Sequence, residues 1–254
     1  MLPVRLSLVT YNLWGTERWP EREPALRLFF ERHRPDLVCV QELTPQTRTV
    51  LDEVLPTHGR VDDDFMGWTT EGNIWWNSAF LRLVEHGAEE FGIEEYPDRR
   101  LFWVRLQIVD RPTTVFVGDV HLSDPGLAVE LEEGRNNRVV EAKAIIGSLG
   151  RLVGDGEAAF LLGDFNDSLV PLTHLFVAGY ESPWGRLHQL PPPTMPAFPD
   201  RLLGYGFASS FVLDWIVANR HARPLAVSSP HVYADNIPPS DHWPVQAVYE
   251  LVEH

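Results

Sequence analysis

Apolar positions along this chain recur with two periods that take turns. "VRLSLVTYN" (Val4–Asn12) alternates apolar and polar residues, the spacing of a strand. Over Glu21–His33 the residues Ala25, Leu26, Phe29 and Phe30 fall at helical spacing, and the run stops before Pro35. "DLVCVQE" (Asp36–Glu42) then reads as a buried strand, and Thr44-Pro45 opens a helix that shows Val50, Leu51 and Val54 on one face. From Asn73 to Leu122 the pattern turns to strands: "NIWWN", "AFLRLVEHG", "RLFWVRLQIV" and "TTVFVGDVHL", with Asp110-Arg111-Pro112-Thr113 as a hairpin turn. Arg138–Leu149 returns to helical spacing through Val139, Ala142, Ile145 and Ile146. "AAFLLGDF", "VLDWIVAN" and "PVQAVYEL" are the last strands.

This alternation predicts an α/β fold, and the chemistry-bearing strings spread from Asn12 to His242 predict a single domain over residues 1–254. The proline-rich stretch Gln189–Pro199 is expected to be a surface loop of that domain rather than a boundary.

Composition narrows the class. A hydrophobic content of 44% and nine tryptophans supply a core, which excludes a disordered chain. Trp68, Trp75, Trp76, Trp184, Phe198 and Tyr205 could stack on a substrate, but burial is the expected fate of most of them. The one cysteine, Cys39, has no partner in the chain and reads as a small buried hydrophobe; a disulfide framework is excluded and a reducing compartment fits. No apolar run reaches the roughly 20 residues of a membrane span, and the opening has no charged-then-apolar pattern, so a cytoplasmic protein is expected. A net charge of −15 argues against a broad basic surface for nucleic acid. It leaves a nuclease open, because a bound cation reverses the local sign where a phosphate sits.

Candidate chemistry gathers at strand ends. In "LLGDFND", Asp164 and Asn166 are two residues apart and share a face if the extended backbone persists. The bland alternative is a strand-to-turn junction, where Asp, Asn and Gly are common. In "SDHWP", Asp241 and His242 precede the last strand, and an imidazole used as a base needs a carboxylate to fix its tautomer. Asp214, an acid within "FVLDWIV", is the candidate, since a charge there is costly unless paired. Glu42 closes its strand as a lone carboxylate of the kind that holds Mg2+ together with water and substrate oxygens. Asn12 could orient Glu42 or touch the metal, and His121 in "GDVHL" could contact a phosphate. With no cysteine pair and no HExxH string, a softer metal is not expected.

Taken together, "TYNLWG", "VQEL", "GDVHL", "LLGDFND", "VLDWI" and "SDHWP" occur in an order that resembles the endonuclease/exonuclease/phosphatase superfamily over nearly the whole chain, with its tyrosyl-DNA phosphodiesterase branch as the nearest in character. The resemblance implies a four-layer α/β sandwich, two mixed β-sheets packed face to face with helices outside. It implies a metal-dependent phosphoric ester hydrolase using Mg2+, with Mn2+ as an alternative, held by Glu42 with Asn12 and Asp241. It makes His242 with Asp214 the catalytic pair, Asp164 and Asn166 the residues that position water and bind phosphate, and His121 the stabiliser of the phosphoryl group. The implied partner is a phosphoester, a small diester or a nucleic-acid end, with no stable membrane insertion; a monomer is the default expectation. A hydrolase of phospholipid or inositol phosphate headgroups, with Leu202, Leu203 and Phe207 as its membrane contact, is the runner-up. A non-catalytic module that binds a phosphorylated ligand is the alternative from another class. Arg138 and Glu141 stand where the family commonly has an arginine and a glutamine, and a glutamate would be a poor substitute for an amide beside an anion.

Overall fold

The computed structural model describes residues 3–91, 95–197 and 210–252. In chain order its elements are β1 (Arg5–Asn12), α1 (Glu23–Arg32), β2 (Leu37–Gln41), α2 (Pro45–Val54), β3 (His58–Arg60), α3 (Gly67–Thr70), β4 (Gly72–Asn77), β5 (Leu81–Glu90), β6 (Arg100–Ile108) and β7 (Thr114–His121). They continue with α4 (Ala128–Glu133), α5 (Asn137–Leu152), β8 (Ala158–Asp164), α6 (Val170–Val177), α7 (Pro183–Arg186), β9 (Asp214–Ala218), β10 (Ala222–Ser228) and β11 (Val245–Leu251).

The strands form two mixed sheets, a six-stranded one in the order β10-β11-β1-β2-β4-β3 and a five-stranded one in the order β5-β6-β7-β8-β9. Each sheet has one central parallel pair, β1 with β2 and β7 with β8, and antiparallel neighbours elsewhere. Both faces of the central strands are buried, and period two sorts their side chains. Leu6 and Leu8 of β1 and Leu37 and Cys39 of β2 join the main core with β7 and β8, while Val9, Tyr11, Val38 and Val40 face α1 and α2. The apolar stripe Ala25, Leu26, Phe29 and Phe30 closes this outer layer, and Phe29 meets Tyr11 edge to face at 5.3 Å between ring centres. On the other side α5 buries Ala142, Ile145 and Leu149 against the second sheet. The result is the expected four-layer sandwich.

Trp68, Trp75, Trp76 and Trp184 are all buried, so the core and not a cleft takes them; Phe198, Tyr205, Leu202, Leu203 and Phe207 lie outside the described residues. Cys39 is fully buried. Among the described residues no helix is long and apolar enough to cross a membrane. At Gly163 in β8 a Cβ would overlap the Val120 carbonyl oxygen, so the close pairing of β7 and β8 just before Asp164 requires glycine.

Candidate active site

Parallel pairing places the C-terminal ends of β1 and β2 side by side, and likewise those of β7 and β8. Asn12 lies opposite Gln41, and His121 opposite Asp164. The antiparallel neighbours bring their starts to the same edge: Asp214 opens β9 opposite Asp164, Glu71 precedes β4, and Ser240-Asp241-His242 precedes β11. Asn12, Glu42, His121, Asp164, Asn166, Asp214, Asp241 and His242 therefore come together at this edge. Six of these, all except Asn12 and Asp214, line the buried floor and the lip of a cleft of about 600 Å3, and Asp214, with no exposed surface, lies behind His242.

At the centre, Asn12 donates from Nδ2 to Glu42 Oε1 at 3.1 Å and to Asp164 Oδ2 at 3.0 Å, while its Oδ1 accepts the Trp14 N–H at 2.9 Å. The amide thus links one carboxylate from each sheet. Asp164 also accepts the Asn166 N–H at 2.8 Å, a local turn that puts Asn166 at φ 48°. Two imidazoles flank Asp164 Oδ2, with His121 Nε2 at 3.7 Å and His242 Nε2 at 3.9 Å. Each imidazole is held from behind by a carboxylate: His242 Nδ1 by Asp214 Oδ2 at 2.8 Å, and His121 Nδ1 by Glu71 Oε1 at 2.7 Å. Glu42 sits at φ 53° directly after β2, a left-handed step that turns its side chain out of the strand and into the cleft.

Burial sharpens the electrostatics. Burial would lower His242, but Asp214, Asp164 and Asp241 outweigh it and hold the imidazole well above its ordinary value. Asp214, with no exposed surface, is pushed up by burial and drawn back by His242. His121 follows the same logic: burial and Arg99 lower it, Glu71 and Asp164 raise it more, and the net shift is upward. Asp241 is pushed up to about 6, first by burial and then by the facing charge of Glu42, against the pull of His242 and Arg22. Donor atoms of Asp164, Asp214 and His242 lie within 4.8 Å of one another, close enough for one ion. The 2.8 Å contact between His242 and Asp214 already uses two of those donors on each other.

Several partners carried no signal in the sequence. Glu71 looks like any acid at a strand entry and becomes legible only through His121. Thr194 lies in the proline-rich stretch expected at the surface, yet it is buried and its hydroxyl accepts the N–H groups of Leu213 and Asp214 at 3.0 and 3.2 Å. Beside it Met195, with Trp14, Phe211 and Leu213, forms an apolar wall of the cleft. Glu141 does not line the cleft. It accepts the Ser123 N–H and hydroxyl, the latter at 2.7 Å, while Arg138 donates to the Ser123 carbonyl at 2.8 Å, so the pair pins the loop after His121.

No curated protein matches the chain in sequence. Solved structures do match in fold. TDP2 of D. rerio, complexed with single strand DNA product, superposes with a TM-score of 0.80 at 16% identity over 96% of this chain and 98% of that one. The mannosyl-6-phosphatase Bt3783 of Bacteroides thetaiotaomicron VPI-5482 gives 0.75 at 18% identity, covering 96% and 99%. An endonuclease/exonuclease/phosphatase family protein from Bacteroides thetaiotaomicron gives 0.78 at 17% identity, covering 99% of both chains. The sequence itself supplies the family: the model of the Endonuclease/Exonuclease/phosphatase family matches residues 9–242, from within β1 to the second imidazole of the cleft, and the chain belongs to that family of phosphoric ester hydrolases.

Proposed function

We propose that the protein hydrolyses a phosphodiester by direct attack of water, with a divalent cation, Mg2+ or Mn2+, held by Glu42 and Asp241. The observation that carries this reading is the Asp164 carboxylate set between two carboxylate-backed imidazoles and tied through Asn12 to Glu42. The donor set fits a hard cation. It is made of carboxylate oxygens, and the charge of Glu42, which adds to the burial that lifts Asp241, is a repulsion that a cation would relieve. Asn12 supports the ligand Glu42 through its amide nitrogen, because its oxygen is taken by the Trp14 N–H. When bound, the cation offsets negative charge on the phosphoryl oxygens.

The chain's own groups do the rest. His242 and His121, both raised by their carboxylates, present Nε2–H groups to the phosphoryl oxygens and stabilise charge developing in flight. Asp164, whose orientation is fixed by Asn12 and the Asn166 N–H, takes the proton of the attacking water. Asn166 Nδ2 donates to the Leu122 carbonyl and to Asp124, both at 3.0 Å, so it reaches a phosphate only by releasing exposed Asp124. The apolar wall suits a leaving group with an aromatic or apolar face, whether an aryl ester or the end of a nucleic acid; TDP2, bound to single strand DNA product, has the same fold. A module that only binds phosphate would have no use for two buried imidazole–carboxylate pairs, which are costly to assemble.

The test is hydrolysis of a small aryl phosphodiester, a phosphomonoester and an oligonucleotide with a 5′-tyrosyl end, each with Mg2+, Mn2+ or EDTA, by wild type and His242→Ala. Cleavage of a diester that EDTA and His242→Ala both abolish is expected. Cation binding without turnover on any of them would favour the binding module.

A further inference from the structure

Arg22 is an arginine with no exposed surface and, among the described residues, no carboxylate in ion-pair contact. It spends its planar fork on backbone. Nε donates to the Glu17 carbonyl at 2.7 Å, Nη1 to Leu13 at 2.9 Å and Pro239 at 2.5 Å, and Nη2 to Trp14 and Gly15 at 3.2 Å each. The indoles of Trp14 and Trp19 cover the guanidinium at 5.1 and 5.6 Å. Four of the five carbonyls belong to the loop that leaves β1 directly after Asn12. The fifth precedes Ser240, whose hydroxyl donates to the Asn12 carbonyl at 2.7 Å and accepts the His242 N–H at 3.2 Å. One side chain thus laces together the two segments that carry Asn12 on one side and Asp241 and His242 on the other, and its charge lies near enough to Asp241 and Glu42 to be felt by both.

A buried cation with this many donors is costly unless the acceptors are held in place around it. We infer that Arg22 is a positioning residue for the cation site: it wraps the Leu13–Glu17 loop around itself and locks that loop to the Ser240–His242 turn, so that Asp241 keeps its place beside Glu42 on the wall of the cleft. The inference rests on the reading of Glu42 and Asp241 as the cation's ligands. Lysine keeps the charge but has fewer donors and no fork, and glutamine loses the charge as well.

The experiment is Mn2+ binding, followed by electron paramagnetic resonance, to wild type, Glu42→Ala, Arg22→Lys and Arg22→Gln, with circular dichroism on each. Wild type is expected to bind and Glu42→Ala to lose binding. Both Arg22 variants are expected to keep their fold and to bind Mn2+ about tenfold more weakly or worse, the scale at which residues behind metal ligands act. Folded Arg22 variants with wild-type affinity overturn the inference alone, whereas binding untouched by Glu42→Ala overturns the underlying reading and the inference with it. Where neither variant folds, wild-type hydrogen exchange decides. Amides of the Leu13–Glu17 loop slowed about tenfold or more by Mn2+ support a loop coupled to the site, and exchange indifferent to Mn2+ overturns it.

Discussion

His242 and Asp214 are buried together, and each would be costly in that place without the other. Replacing His242 by alanine removes the imidazolium aimed at the phosphoryl oxygens, and replacing Glu42 removes a cation ligand. Each is expected to lower kcat/KM by about 10^2–10^4 in an assay on the best diester. Their thermal unfolding separates them: His242→Ala orphans Asp214 and costs about 1–3 kcal/mol, while Glu42→Ala, at the lip of the cleft, leaves Tm unchanged. Asp214→Asn is expected to lower the rate by a similar factor in folded, cation-binding protein, because an amide no longer fixes the imidazole tautomer. The pH dependence follows from the raised pKa of His242. The folded site favours the protonated form, so the pair's contribution to stability is full below the ordinary imidazole value and is lost as pH rises through the raised one. Activity that needs the imidazolium follows the same limb. It should hold through neutral pH and fall on the alkaline side, whereas kcat rising through neutral pH would make His242 the base in place of Asp164.

Between the sheets, β2 and β7 are joined by one polar contact, Gln41 Nε2 to Asp119 Oδ1 at 2.6 Å, with Thr10 of β1 on the far side of the glutamine. Burial, reinforced by Glu71, pushes Asp119 well above the usual carboxylate range despite the Gln41 bond, so folding favours its neutral form. The sign is that of an acid raised by folding: its contribution is full below the unfolded carboxyl value and falls as pH rises toward the folded value. A carboxamide in its place would be neutral at every pH. The Tm of Asp119→Asn measured against wild type should therefore shift in the variant's favour between pH 4 and pH 8, and a difference independent of pH would mean that Asp119 is ionised in the fold. The same elements show what patterning could reveal. α1, β2, β7, β8 and β11 were legible because their apolar faces are continuous. β10 was not, since an edge strand with Pro224 and a bulge between Pro224 and Ala226 buries too little to leave a period. The short helix α6 was hidden because its outer face carries exposed Phe176 and Val177, which erases the polar stripe of an ordinary surface helix.

Across the molecule, the groups with a chemical reason to sit at strand ends could be read from the sequence, because Asp164 and Asp214 break apolar runs and His242 directly precedes one. Their supports could not be read. Glu71 acts through a contact that exists only after the two sheets have closed on each other, Thr194 and Arg22 through contacts that form only once separate segments of the chain have packed, and nothing in their neighbouring residues marks them. The global charge, in contrast, is read directly, and it constrains how substrate arrives. At −15 the molecule repels a polyanion over distances longer than any contact, and the cleft lip adds Glu17, Asp124 and Asp167 to that field. The Debye length falls from about 30 Å at 0.01 M salt to about 8 Å at 0.15 M, so added monovalent salt screens the approach more than it screens contacts inside the cleft. With the divalent cation fixed at a saturating level, kcat/KM for a 5′-tyrosyl oligonucleotide should rise over that range, while the value for a small aryl diester, which carries one charge, should change little. A protein that draws nucleic acid to a basic surface behaves in the opposite way, losing kcat/KM steeply with salt. That steep loss for this enzyme would mean that a local positive channel, and not the net charge, governs the encounter.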